Sequence, residues 1–241
     1  MGNFGQEISL SGAGNLLAVG SQSDGTSGAV YIFNLSSLSS PSFVARLVGS
    51  PISPGAVFGW DVALSADGST LAVGASAFIF TKVLGTWTQQ AYFTAPPEIA
   101  LPSFFGNVVS LSADGNILVV SCNANAVVYY RQGLTGPWSA GILLPLPYDL
   151  VDPLLESFAI ISHDGSSICF SYTKNNSDVG ASWIFTQGPS GTWIQNGPGF
   201  VGTGAPPASP PTEQGRTTLS GDGKTAAVMD GANLGLLWLF V

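Results

Sequence analysis

The stretch Phe58-Gly-Trp-Asp-Val-Ala-Leu-Ser-Ala-Asp-Gly-Ser-Thr-Leu-Ala-Val-Gly-Ala-Ser76 limits what this chain can fold into more than any other part of it. It reads as a strand, an Asp-Gly turn and a second strand, because Asp-Gly supplies the positive-φ geometry that closes a two-residue hairpin. The unit returns four more times. Its turn glycines are Gly14, Gly68, Gly115, Gly165 and Gly223, spaced 54, 47, 50 and 58 residues apart. A period near 50 belongs to arrays such as propellers, in which a unit cannot bury its apolar face alone.

Each unit has the same internal order. Strand A (Phe4–Ser11, Phe58–Ser65, Phe105–Ser112, Ser157–Ser162, Gly215–Ser220) precedes the turn, and an apolar strand B follows it. Strand C carries aromatic residues, at Ala29–Phe33, Ala77–Phe80, Ala126–Tyr130, Ala181–Phe185 and Leu236–Phe240. In three units a Gly-x-Trp turn (Trp87, Trp138, Trp193) leads to strand D, while the first unit has a different D strand around Phe43–Val48. Strands spaced this closely, with turn residues between them, predict an all-β chain. Twelve of the 16 prolines fall between a D strand and the next A strand. Proline cannot donate to a sheet ladder, so these segments are crossovers between sheets. The expected fold is one domain over residues 1–241, a β-propeller of about five four-stranded blades at 4–50, 58–94, 105–146, 157–201 and 215–241. The last blade draws only three strands from this chain. Its missing strand implies a larger ring, a strand-donating partner or a homo-oligomer, because an open sheet edge needs cover.

Composition excludes several functions. Only 8% of residues are charged, against 45% hydrophobic, and the net charge is −8. The six basic residues are scattered and form no patch, which disfavours nucleic acid and anionic membrane surfaces. No apolar run reaches the ~18 residues of a membrane helix, so no membrane insertion is expected. The opening Met-Gly-Asn-Phe-Gly-Gln-Glu has no basic segment leading into an apolar one, so no signal peptide is expected. Cys122 and Cys169 occupy different rungs of their units and match no metal spacing, which predicts two buried thiols.

The pattern Phe-Gly-x-x-Val-x-Leu-Ser-x-Asp-Gly-x-x-Leu-Ala-Val-Gly-Ala resembles the FG-GAP type of propeller repeat, found in integrin α-subunit heads and in bacterial and viral repeat proteins. Units two and three carry it best, at Phe58-Gly59 to Ala75 and Phe105-Gly106 to Ser121. Units four and five replace the Phe-Gly pair with Ser157-Phe158 and Gly215-Arg216. The resemblance implies the fold, but propellers carry many functions. It also implies a calcium loop, whose nearest match is Ser21–Gly28 around Asp24. One carboxylate there falls short of the six to eight oxygens that calcium takes, so no cofactor or metal is expected.

Asp67, Asp114, Asp164 and Asp222 each precede a turn glycine and read as turn chemistry. The lone histidine, His163, reads as a solvated turn residue. The tryptophans of the Gly-x-Trp turns are expected to pack between blades, and Tyr31, Trp183 and Trp238 to share one core register. The fourth position of strand A breaks its pattern, as Glu7, Asp61, Val108, Phe158 and Arg216. If the ring closes, Arg216, Glu7 and Asp61 sit on neighbouring inner strands. That arrangement is either an ion-pair cluster or a pair of carboxylates suited to acid–base work on a glycoside.

The A–B and C–D turns share one face of a propeller, and the B–C loops and D–A crossovers share the other. Binding favours variable loops on a rigid frame. The expected partner surface is therefore Asp24, Asn123, Asn125, Lys174, Asn175, Asn176, Asp178, Asp230 and Asn233. The expected function is a non-enzymatic binding or assembly module that presents these loops to a protein or glycan on an exterior surface, whether secreted, cell-surface or virion. The alternatives are a lectin with one sugar site per blade, a glycoside hydrolase using Glu7 and Asp61 with Arg216, and a structural virion component.

Overall fold

The computed structural model describes residues 3–99, 104–146, 157–172, 181–202, 214–230 and 237–241, and contains no helix among them. Among the described residues nineteen strands form five antiparallel sheets in chain order. The first sheet holds β1 (Phe4–Leu10), β2 (Leu16–Ser21), β3 (Ala29–Asn34) and β4 (Ser42–Leu47). The second holds β5 (Val62–Leu64), β6 (Thr70–Val73), β7 (Ala77–Val83) and β8 (Thr86–Phe93). The third holds β9 (Val109–Leu111), β10 (Ile117–Cys122), β11 (Asn125–Tyr130) and β12 (Ile142–Leu143). The fourth holds β13 (Ser157–Ile161), β14 (Ser167–Tyr172), β15 (Ala181–Gln187) and β16 (Trp193–Gln195). The last has three strands: β17 (Gln214–Leu219), β18 (Ala226–Asp230) and β19 (Leu237–Phe240). Each sheet is a meander, and the first strands of successive sheets lie side by side around a common axis. The fold is a β-propeller.

The inner strands of blades 2 and 3 are shorter than the sequence implies. Strand A was expected from Phe58 and Phe105, yet β5 starts at Val62 and β9 at Val109. The Phe-Gly pair lies outside the ladder because Gly59 and Gly106 take φ of 87° and 84°, a left-handed conformation that ends an extended run. Phe58 is instead fully buried, its ring edge-on to Phe78.

Three buried apolar clusters join the blades in pairs, 1 with 2, 2 with 3 and 3 with 4. The Gly-x-Trp tryptophans contribute to them as expected, each reaching back to the preceding blade. Trp193 donates to the Tyr130 hydroxyl at 2.5 Å, and Trp138 donates to Gln90 at 3.2 Å. Trp87 packs into the cluster shared by blades 1 and 2.

The seam between blades 5 and 1 differs. Period-2 alternation puts Ile8, Leu10, Tyr31, Phe33 and Phe43 on the face of blade 1 turned away from blade 2. Phe4 is 56% exposed and Ile8 59% exposed there. The face of blade 5 turned away from blade 4 carries Leu237 at 59% and Leu239 at 66%. Among the described residues no buried apolar cluster spans this seam. Tyr31, Trp183 and Trp238 do share one register, opposite Val19, Phe170 and Val228. Their expected core burial is corrected: only Trp183 is buried, while Tyr31 and Trp238 are half-buried, Tyr31 on the face of blade 1 turned toward the seam.

Cys122 and Cys169 are both buried and are not joined in a disulfide, as expected.

Candidate functional site

The fourth positions of the five inner strands do converge. Glu7, Asp61, Val108, Phe158 and Arg216 all line one axial cavity of about 260 Å³, together with Trp60, Asn107, Val109, Ile160 and Thr217. Arg216 Nη1 lies 2.6 Å from Glu7 Oε1, so an ion pair crosses the seam from blade 5 to blade 1. Glu7 is largely covered (19% exposed) while Arg216 is open to solvent (63%). Asp61 also lines the cavity. Its Oδ1 accepts from the amide of Val62 at 2.9 Å, and its Oδ2 from that of Val109 in the next blade at 2.7 Å. Burial pushes the Asp61 carboxyl up to about 7; the Val109 amide opposes this, and the nearby Glu7 charge adds to it.

A second cavity of about 330 Å³ adjoins the first and shares Trp60 and Asn107 with it. Its walls are Val57 and Phe104 from the crossovers, Phe105, and Ala75 and Ser76 from the B–C turn of blade 2. Both cavities thus reach the face that carries crossovers and B–C turns. Asn107 Oδ1 is buried between them with no hydrogen-bond partner. Neither Trp60 nor Asn107 was singled out by sequence reasoning. Each directly follows a Phe-Gly pair, at the same offset, and that shared place beside the axis was the one available signal.

On the opposite face the turn carboxylates are already paired within their own turns. In four of the five A–B turns (the first has Ala13) an aspartate accepts from a serine hydroxyl two residues earlier: Ser65 to Asp67, Ser112 to Asp114, Ser162 to Asp164, each at 2.6 Å, and Ser220 to Asp222 at 2.7 Å. It also accepts from the amide two residues later. The serine oxygen in turn accepts from the first amide of strand B. The Ser162 hydroxyl and the Ser166 amide hold the Asp164 carboxyl below the usual range. Turn backbones also bond from blade to blade: Gly12 N to Ala66 O, Ala66 N to Ala113 O, Ala113 N to His163 O, and Asp164 N to Gly221 O. His163 lends this hoop its carbonyl and leaves its ring exposed.

Four of the nine residues of the expected partner surface, Asp24, Asn123, Asn125 and Asp230, lie among the described residues. Asp24 is a staple: Arg46 Nε and the Tyr31 hydroxyl donate to its Oδ2 at 2.7 and 2.6 Å, and the Arg46 bond holds its carboxyl below the usual range. Asn123 is 1% exposed. It occupies a two-residue turn between β10 and β11 with φ of 49°, which asparagine tolerates, so the expected variable loop of blade 3 is a tight hairpin. Asn125 opens β11, and its carbonyl accepts from Ser157 at 3.3 Å. The backbone of Asp230 pairs with Gln214 at the end of β18. Lys174, Asn175, Asn176, Asp178 and Asn233 lie outside the described residues. Among the described residues no three His, Cys, Asp or Glu side chains converge as metal ligands would.

No family model matches the chain, and no curated protein sequence matches it significantly. Solved structures do. A protein from Lactobacillus plantarum is 15% identical with a TM-score of 0.65, over 98% of this chain and 69% of that one. The Dos1 propeller is 14% identical with a TM-score of 0.56, over 99% and 72%. The periplasmic gluconolactonase PpgL of Pseudomonas aeruginosa is 18% identical with a TM-score of 0.59, over 98% and 72%. At these identities the likeness concerns the fold.

Proposed function

We propose that this propeller is a non-enzymatic recognition module of the FG-GAP repeat kind, and that it engages its partner on the crossover face around the axial opening. One contrast carries the reading. The crossover face holds two adjoining cavities with a partly exposed tryptophan (Trp60) and an unpaired buried acceptor (Asn107), whereas the polar groups of the other face are consumed by their own turns. Preformed concavities with few convergent polar groups are the usual seats of ligands. Relative to the sequence reading, the recognising surface moves from the B–C loops inward to the axis.

The test is a set of immobilised proteins screened against glycan and peptide arrays. Trp60→Ala and Asn107→Ala should lose the ligands that wild type retains, and Asp222→Asn on the far face should keep them. Loss in Asp222→Asn with retention in Trp60→Ala would reverse the face assignment.

A hydrolytic reading draws on one observation, a carboxyl near pH 7 beside a second carboxyl, which suits general acid catalysis. Against it, Glu7 is held by Arg216, and both Asp61 oxygens already accept main-chain amides. Turnover of nitrophenyl glycosides that Glu7→Gln abolishes would establish the enzymatic reading instead.

A further inference from the structure

We infer that the axial cavity binds a primary alkylammonium group, with Asp61 as its counter-ion, Asn107 Oδ1 as a second acceptor and the Trp60 ring at the entrance. This rests on the reading that ligands enter from the crossover face.

The argument begins with charge. Glu7 and Arg216, both at the cavity wall, cancel in their ion pair, with the Arg216 side chain largely open to solvent. Thr217 Oγ1 is engaged with Cys169 Sγ at 3.1 Å. What remains inside the cavity is the Asp61 carboxyl, whose oxygens accept one main-chain amide each, and Asn107 Oδ1, which has no partner; both are acceptors with capacity left. A cavity short of donors selects a donor-rich ligand, because a buried acceptor left unpaired is costly.

Charge and shape narrow the class. The walls from blades 3 and 4 are Val108, Val109, Phe158 and Ile160, which suit methylenes and offer nothing to the many hydroxyls of a sugar. A hard metal ion would need six or more oxygens. An indole face attracts an organic cation. The volume of about 260 Å³ suits a short alkyl chain ending in an ammonium.

Proton linkage follows. Glu7 on β1 and Arg216 on β17 are the charged groups facing Asp61 across the cavity, and the blade 3 and 4 walls contribute no titratable side chain. Below pH 7 the Asp61 carboxyl is protonated, and a cation must displace that proton. Affinity therefore rises with pH and levels off above about 7.

Calorimetry on the purified chain tests this with 1-aminopentane, cadaverine and Nα-acetyl-lysine methyl ester, beside 1-pentanol, methyl β-glucoside and CaCl2. The amines should bind at pH 8, about tenfold more weakly for each pH unit below 7, and release about one proton per ligand at pH 6 in buffers of differing ionisation enthalpy. The lysine ester binding better than cadaverine would mark a polypeptide source, and the reverse a free diamine. Asp61→Asn should cut amine affinity at least about tenfold and remove the pH dependence. If that variant fails to fold, Asn107→Leu and the wild-type proton release carry the test. Amine binding without proton release, or glucoside or calcium binding in place of amines, overturns the inference. If no amine binds but array ligands still require Trp60, the ammonium inference falls alone; if neither depends on the cavity, the proposed function falls with it.

Discussion

Asp61 and the four turn aspartates place one side chain in opposite settings. At the turns, hydroxyl and amide donors favour the carboxylate, and the Asp222 carboxyl is lowered by Ser220 and Lys224. At the axis, desolvation dominates and the Asp61 carboxyl rises to about 7. In the unfolded chain Asp61 reverts to an ordinary carboxyl near 3.9. Between those limits the native state binds the extra proton. The Asp61 contribution is thus fully present below about pH 4 and is lost as pH rises through 7. Asp61→Asn should flatten the fall in stability between pH 4 and 7, measured by urea unfolding at several pH values; an unchanged slope would show that Asp61 is not desolvated. The turn aspartates were legible in the sequence because Ser-x-Asp-Gly sets both partners within four residues. Asp61 was legible only as a break in register. Its burial depends on blade 3, which supplies Val109. Arg131 was not legible at all. It counted as one of six scattered cations, yet it is buried over Trp138 and donates to Gln90 and Thr70 of the preceding blade.

At the level of the repeat, the two glycine signatures turn out to pair between units rather than within one. A Cβ on Gly20 would strike the carbonyl oxygen of Gly59, and one on Gly74 would meet that of Gly106. The end of strand B in blades 1 and 2 is therefore bare where the Phe-Gly bend of the next blade presses on it. At the boundary of blades 3 and 4 both halves are lost: blade 3 has Ser121 in place of the glycine, blade 4 lacks Phe-Gly, and the Ser121 hydroxyl accepts from Ala159 N at 2.9 Å instead. At the seam Met229 stands in the glycine's place although blade 1 keeps Phe4-Gly5. An alignment of units stacks the two glycines in one column set and hides that they touch across the boundary. Gly106 also has positive φ, and a Cβ there would collide with the Ser76 carbonyl. Gly133 has φ of 69° but open space around it. Gly133→Ala should cost about 1 kcal/mol of backbone strain. Gly106→Ala should cost at least roughly twice that, since a packed backbone must move. Denaturant midpoints of the two variants check the difference, and equal midpoints would mean that the bend is not pressed against its neighbour.

Over the whole molecule, stability is unevenly placed. Buried clusters knit blades 1 to 4, whereas the seam is crossed by the Glu7–Arg216 pair between two exposed apolar faces. A half-exposed ion pair contributes about 0–1 kcal/mol. Exchange of backbone amides should therefore be fastest in β17 to β19 and slowest in β6, β10 and β14. Arg216→Gln should quicken exchange in β17 without reaching β10, and uniform protection around the ring would refute this gradient. Blade number and order were legible from a 50-residue period, but the seam was not, because repetition describes what neighbours share and the seam is where sharing stops. The hoop of turn amides has a direction: each blade gives an N–H forward and receives one from behind, from Gly12 through to Gly221. In polymer terms the chain is a head-to-tail oligomer of one unit with a distinct head and tail. A blade duplicated or deleted in the middle would meet the same turn-amide donors and acceptors on both sides. Copy number in such a lineage is then free to drift by recombination, and selection on it falls on the two ends that must find each other.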